Sequence, residues 1–296
     1  MSSRHPRVWV YEKDKNPRHA RVQEIAHQRD FYSFFRDGVR DDSYDKLFLQ
    51  RIESEVPKVL AFAHDGKVGS TERKAIADFV GVMSARVPIA RDHADELIGE
   101  SATARLAPYR DDPEQFARAF TALQPQLEDQ VSAEEARALM KKGYRLKQSS
   151  VQFNLTMMLQ MARQNRDCLL DMTWAVWLAP DDDHFVTSDN PVVSVLPDTG
   201  GRGTTGVNFG NPKAQVLLAI TPARLFVASR NVRPGCHAIS RRGVHLVNKM
   251  IMAMADRFVY ASEHSQRLSA VYNKMAGTGS LQRDFYQPVW RDRSAQ

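Results

Sequence analysis

Cysteine is scarce in this chain of 296 residues, and long apolar runs are missing altogether. The two cysteines, Cys168 and Cys236, allow at most one disulfide, which excludes a disulfide-rich secreted scaffold and favours free thiols in a reducing cell. No run approaches the roughly 18 apolar residues that cross a bilayer. The N-terminus has no apolar signal core before its charges resume. These absences predict a soluble, cytoplasmic protein with no membrane partner.

Recognisable catalytic and metal-binding motifs are also missing. The nine histidines show no H-x-x-x-H spacing and the cysteines no C-x-x-C spacing, which disfavours a structural zinc site. There is no G-x-S-x-G elbow and no Walker-type phosphate loop. Gly201–Gly206 matches G-x-G-x-x-G, but no helix pattern follows it, so we interpret the match as chance. The sequence therefore predicts no cofactor and no metal.

Positive charge is in excess and unevenly distributed. The formal net charge is +6, yet from Ala223 onward twelve Lys/Arg residues accompany only four Asp/Glu, a balance of +8. The rest of the chain therefore carries −2. A basic C-terminal third can bind nucleic acid or another polyanion. The plainer interpretation is a set of scattered, solvated charges, because charge alone is weak evidence for a partner.

The apolar pattern changes along the chain from strand-like to helical and back. Arg7–Lys13 alternates and begins a predicted N-terminal hairpin. Helical spacing dominates residues 42–165, where Ser132 and Glu135 form a capping-box pattern and Val151–Arg163 continues as helix. The predicted strands of the following part, 166–262, are Leu169–Leu178, His184–Val186, Val192–Leu196, Gln215–Thr221, Leu225–Ala228 and Phe258–Ala261.

This order of elements predicts an α+β fold rather than a doubly wound sheet. An N-terminal β-hairpin leads into a helical middle and then into a β-rich C-terminal half. Two helices accompany those later strands, Val244–Ala255 and Glu263–Met275, and residues 263–296 make up a C-terminal helix and charged tail. We expect one domain over residues 1–296.

Four stretches of the sequence resemble the domain-of-unknown-function family DUF4238. They are VWVYEKDK, IAHQRDFYS, the helix pair containing RIESEVP and ADFVGVMSARVP, and TWAVWLAP followed by HFVTSDNPVV. The resemblance covers Val8 to Ser262 and implies a soluble, bacterial protein of this architecture, but no reaction. Family members begin with a His-x-Val-Pro segment that His5-Pro6 does not reproduce. Either the native start lies further upstream or this member has lost the segment.

The most polar stretch among the predicted strands is Thr187–Pro191, with the sequence TSDNP. As a site, it offers Asp189 as a general base or metal ligand, with Thr187, Ser188 and Asn190 binding a substrate. As plain structure, it is an Asx-type turn in which Asp189 and Asn190 bond nearby backbone N–H groups. Both interpretations stay open at this stage.

Glu53 and Arg86 each border the apolar face of a predicted helix, and we expect the two helices to pack together. If the two side chains pair, loss of either would strand the other charge at a cost of about 3–5 kcal/mol. The pair is either a structural clamp or a cleft in which Arg86 binds an anion. Trp174 and Trp177 should face opposite sides of a strand, so Trp177 is a further candidate for lining a groove.

Two functions from different classes fit these observations. The first is a binding or regulatory module tied to nucleic acid or to defence against mobile elements. The second is a hydrolase or nuclease in which Asp189 is central and Glu53 or Arg86 assists. Convergence of these groups on one open pocket would favour the enzyme, and an Asp189 occupied by backbone amides would count against it.

Overall fold

The computed structural model describes most of the chain, in eight ranges. These are residues 6–25, 34–36, 39–41, 54–87, 99–123, 132–144, 151–197 and 204–278. The N-terminal strands are β1 (Arg7–Glu12), β2 (Arg18–Arg21), β3 (Phe34–Arg36) and β4 (Val39–Asp41). The helices that follow are α1 (Val56–Asp65), α2 (Ser70–Ala85), α3 (99–106), α4 (Pro113–Leu123), α5 (Ala133–Lys141) and α6 (Val151–Leu170).

Strands dominate the rest of the described chain. They are β5 (Thr173–Leu178), β6 (Thr187–Ser188), β7 (Val192–Leu196), β8 (Thr204–Thr205), β9 (Gln215–Thr221), β10 (Arg224–Ser229), β11 (Gly235–Ala238) and β12 (Phe258–Ala261). Two helices accompany them, α7 (Arg241–Met254) and α8 (Gln266–Met275). The predicted α+β class, the opening hairpin and the two late helices are therefore confirmed.

The described strands form two main sheets and a separate β3–β4 hairpin. The smaller sheet has the order β2-β1-β12-β6, so the N-terminal hairpin pairs with a strand from the other end of the fold. The larger sheet has the order β11-β5-β10-β9-β7-β8. Its pairs are antiparallel except for β11 with β5.

The six-stranded sheet is covered on both faces, which is why its strands are apolar without interruption. Along β10, Leu225 and Val227 face α7, α8 and the smaller sheet, whereas Phe226 and Ala228 face α1 and α2. Successive side chains of a strand point to opposite faces, so each strand contributes to both cores. A third, smaller core lies between α3, α4 and α5 and contains Phe116.

Helix ends follow the residues that favour them. The capping box predicted at Ser132 and Glu135 is present, with the Glu135 N–H donating to Ser132 Oγ at 3.2 Å. Gly66 ends α1 with φ of 64°, a conformation that glycine adopts without steric cost. Over the described ranges, no helix has both the length and the apolarity that crossing a membrane requires.

Two predicted boundaries are wrong. Helix α6 continues past Arg163 to Leu170, and β5 begins only at Thr173.

The predicted strand His184–Val186 is also wrong, because the N–H groups of Phe185 and Val186 bond outside any sheet ladder. The Phe185 N–H donates to Pro222 O at 2.7 Å, and the Val186 N–H donates to a side chain of α7. The apolar run here marks burial rather than strand pairing.

Candidate functional site

The Thr187–Pro191 segment carries the chain from one sheet to the other. Thr187 and Ser188 form β6, the edge strand that pairs with β12 in the smaller sheet. Pro191 then leads directly into β7 of the larger sheet, and proline favours extended conformations for the residue before it. Ser188 and Asn190 are buried at this crossing, with 5% and 4% of their surface exposed.

Asp189 binds backbone amides at the junction between α7 and β12. Its two carboxylate oxygens accept from the N–H groups of Asp256 at 3.0 Å, Arg257 at 2.8 Å and Phe258 at 2.8 Å. Its own N–H donates to Phe258 O at 3.1 Å. The carboxylate is therefore occupied by structural bonds, and the donors lie 67 to 69 residues away rather than in a local Asx turn.

The neighbouring side chains complete the same junction. Ser188 Oγ donates to Asn190 O at 2.7 Å and accepts from the Asn190 N–H at 3.2 Å, which closes a local turn. Asn190 Nδ2 donates to Met254 O at 2.9 Å, at the last residue of α7. This bond satisfies a carbonyl that the end of the helix leaves without an intrahelical partner. We call the contacts of Asp189 and Asn190 with residues 254–258, together with the Ser188–Asn190 turn, the corner clasp.

Burial dominates the protonation behaviour at the corner clasp. It raises the pKa of the Asp189 carboxyl, and the amide donors pull that pKa the other way without cancelling the effect. Burial, followed by the negative charges of Asp189 and Asp256, raises the pKa of Tyr272 to about 12. The Tyr272 hydroxyl donates to Arg257 O at 2.9 Å, so it too holds the junction in place. A general base needs a lone pair free for its substrate, and backbone amides take three of the roughly four acceptor positions of the Asp189 carboxylate.

Asn248 of α7 holds the start of the same segment, and sequence reasoning missed it. Its Oδ1 accepts from the Val186 N–H at 3.0 Å, and its Nδ2 donates to His184 O at 2.8 Å. The signal was available, because Asn248 lies at helical spacing from Val244 and Ile251 on a buried face. A lone amide on such a face needs partners.

We expect Asn248→Ala to lower the free energy of unfolding by about 2 kcal/mol, because it leaves the buried Val186 N–H without an acceptor. Urea unfolding measures this change. Asn231→Ala is the matched control, since that residue is exposed and should change stability by less than about 0.5 kcal/mol. Equal losses for the two variants would contradict the assigned role of Asn248.

Trp177 and Arg86, the other predicted site residues that the structure describes, do not belong to the corner clasp. Trp177 is half-buried and packs against the core between the larger sheet and α7, while Trp174 is buried on the opposite face. Arg86 follows α2, and its N–H closes the last turn on Val82 O at 2.9 Å. Glu53 lies outside the described residues, so the Glu53–Arg86 pair stays a prediction.

The acidic run 181–184 is less solvated than its composition suggests. Asp183 has 13% of its side chain exposed, and Arg241 Nε approaches its Oδ2 at 2.9 Å. His245 Nε2 lies 3.5 Å from the other oxygen. Within the part of the chain that the structure describes, no three His, Cys, Asp or Glu side chains are grouped to hold a metal ion.

Several basic residues of the C-terminal third form hydrogen bonds or ion pairs within the protein. The Arg224 guanidinium donates to Ala63 O at 2.8 Å and so caps the end of α1. Arg230 donates to Asn211 O at 3.1 Å, and Arg257 pairs with Glu12 at 2.7 Å. Part of the excess positive charge of the C-terminal third therefore belongs to side chains that already have structural partners.

The exposed basic residues of α7 and α8 are arranged differently. Arg242 and Lys249 lie on α7, and Arg267 and Lys274 lie on α8; each pair is separated by seven residues and so lies on one side of its helix. All four are exposed, and none pairs with a carboxylate in the described ranges. Neither helix contains an Asp or a Glu. We call these four residues the basic two-helix face.

Comparison with known proteins identifies the family but no activity. No curated protein and no solved structure matches the chain. One family model, described as a protein of unknown function, matches residues 2–265. That range contains the corner clasp and all of the described strands. The chain belongs to the DUF4238 family.

Proposed function

We propose that this protein is a cytoplasmic binding module that takes nucleic acid, or another polyanion, on the basic two-helix face. The observation that carries the proposal is the charge of α7 and α8. Five Lys/Arg residues and no Asp or Glu occur over these two helices. A surface of one charge attracts polyanions and releases their counterions.

Helical geometry leaves basic residues away from the buried side of each helix. Val244, Val247 and Ile251 bury one side of α7, so Arg242 and Lys249 are left on its outer side about 10 Å apart. On α8, buried Tyr272 leaves Arg267 and Lys274 outward in the same way. Lys and Arg at such spacing can each meet a phosphate.

The alternative, a hydrolase or nuclease built on Asp189, has less support. Three backbone N–H groups already occupy that carboxylate. A metal-dependent nuclease also needs clustered acidic ligands, whereas the basic two-helix face has none of its own. If a labelled oligonucleotide is cut on incubation with Mg²⁺, and Asp189→Asn abolishes the cutting, the enzyme becomes the better interpretation.

Fluorescence anisotropy with labelled DNA and RNA at about 50 mM salt tests the binding proposal. Affinity should fall steeply as salt rises, because each phosphate contact releases counterions. Arg242→Glu/Lys249→Glu should weaken binding by about tenfold or more and flatten the salt dependence. Arg267→Glu/Lys274→Glu should do the same.

The matched control reverses two exposed basic residues elsewhere, Lys74 and Arg105, with the same change in net charge. It should keep most of the affinity. Equal weakening by control and test variants would mean that net charge alone is responsible, and no binding at low salt would overturn the proposal. A role in defence against mobile elements is a further prediction, to be tested by phage challenge of cells that express the protein.

A further inference from the structure

Three aromatic rings lie in a row on one face of the smaller sheet. Trp9 of β1 is opposite His19 of β2 and opposite Ala261 of β12. The Trp9 and His19 rings stack, with centroids 5.0 Å apart and planes 19° from parallel. The His264 ring lies 4.5 Å from the Trp9 centroid. The small side chain of Ala261 leaves room for a ring on that side of Trp9.

The row is built into the fold rather than formed by loose surface groups. Tyr11 is two residues from Trp9 on the same strand face, and its hydroxyl donates to Glu263 O at 3.3 Å. The same hydroxyl accepts from the Ser265 N–H at 2.8 Å. These two bonds hold the chain on either side of His264. Trp9 packs against the core between the sheets, which supports the row from below.

Both outer rings are accessible. His19 and His264 are exposed, and β2 is an edge strand of its sheet. Among the described strands none lies beyond β2, so the outer side of the His19 ring faces away from the sheet. An aromatic ring held in place with one open face is a stacking platform.

The surroundings of the row are mainly positive. Arg7 and Arg21 are register partners two positions from Trp9 and His19, so they lie on the same sheet face. Arg267 follows His264 by three residues and belongs to the basic two-helix face. Glu24 approaches Arg21 at 3.8 Å, and Glu263 is the nearest acidic residue in sequence to His264. The row therefore ends next to the start of α8, where Arg267 of the basic two-helix face lies.

We propose that the row His19–Trp9–His264 stacks unpaired bases, so that the protein prefers single-stranded nucleic acid to duplex. This inference rests on the proposed function, since the basic two-helix face would hold the phosphates of the same strand. Bases in a duplex are stacked on one another and do not offer a free π-face. Unpaired bases do, and stacking on aromatic side chains tolerates any sequence.

The test compares a labelled oligothymidine strand of about 20 nucleotides with a duplex of the same length, by anisotropy. The wild type should bind the strand more tightly. His19→Ala/His264→Ala should weaken strand binding about tenfold and leave duplex binding nearly unaltered. His19→Phe/His264→Phe should recover most of the lost affinity, because phenyl rings stack without a charge. Circular dichroism confirms that each variant is folded.

Tryptophan emission gives an independent readout. Strand binding should quench the wild-type emission, and Trp9→Phe should lose that quenching while the other three tryptophans remain. If strand and duplex bind equally and the His→Ala variant matches wild type, the stacking proposal is overturned while polyanion binding on the basic two-helix face stands. If neither nucleic acid binds, the proposed function fails first, and the stacking role fails with it.

Discussion

Replacing Asp189 with alanine should lower the free energy of unfolding by about 3 kcal/mol, because the corner clasp loses its charged acceptor. Hydrogen bonds to a charged group contribute about 1.5–3 kcal/mol each, and the three bonds at Asp189 are not additive. In the variant, the exposed N–H groups of Asp256 and Arg257 can form hydrogen bonds with water instead. The Phe258 N–H is half-buried and loses its acceptor. Urea unfolding and amide hydrogen exchange at Phe258 measure the effect.

Asp181→Ala is the matched control for this substitution. Asp181 is exposed in the turn after β5 and should change stability by less than about 0.5 kcal/mol. A loss below about 1 kcal/mol for Asp189→Ala, with unchanged exchange at Phe258, would contradict the clasp.

The pH dependence of the same variant has a definite sign. Burial raises the folded-state pKa of Asp189 above the ordinary value of 3.8. At pH values just above 3.8, Asp189 is therefore protonated in a larger fraction of folded molecules than of unfolded ones. The protonation-linked part of the Asp189 contribution, which adds to that of its hydrogen bonds, is thus fully present below pH 3.8 and is lost as the pH rises through the folded-state pKa. The stability difference between wild type and Asp189→Ala should therefore shrink with rising pH. A difference that grows would mean that the amide donors outweigh burial.

Gly81→Ala should destabilise the protein by about 2 kcal/mol, although alanine favours helices over glycine. A Cβ at position 81 would lie 2.6 Å from Ala162 O and 3.2 Å from the Arg166 N atom. Both contacts are with the backbone of α6, so the helices must move apart. That movement would also stretch the buried bond from Asn165 Nδ2 to Ser84 Oγ, which measures 2.9 Å. Thermal unfolding measures the loss.

Gly243→Ala makes the same substitution in another helix and should give the opposite result. The nearest atom to its new Cβ would be Ile239 Cδ1 at 3.3 Å, the end of a side chain that can rotate away. Removal of a helical glycine then stabilises by up to about 1 kcal/mol. If both variants shift the melting temperature in the same direction, close packing at Gly81 is not the cause.

Strands with a strong local signal were predictable to the residue. Gln215–Thr221 and Phe258–Ala261 coincide with β9 and β12, because apolar, β-branched residues are bounded there by turn or charged residues. Gly235–Ala238 was missed, since it is short, contains a glycine and pairs in parallel with a strand far away in sequence. Its pairing, and not its own composition, makes it a strand.

The candidate site, like the strands, was only partly predictable from the sequence. The polar content of Thr187–Pro191 was evident from the sequence, but the partners of Asp189 were not. Its donors belong to a helix–strand junction whose position depends on how α7 packs on the larger sheet. The Trp9 row could not be predicted either, because His19 and His264 are 245 residues apart. They reach opposite sides of Trp9 only through the pairing of β1 with β2 and β12.

The sequence by itself determined the α+β class, the hairpin, the helix caps and the family, because periodicity, turn chemistry and motif strings are local properties of the chain. Only the tertiary structure decided that Asp189 holds a junction together and that the basic residues Arg242, Lys249, Arg267 and Lys274 of α7 and α8 are exposed. Which groups a side chain meets depends on long-range packing, and neither spacing nor composition encodes that directly.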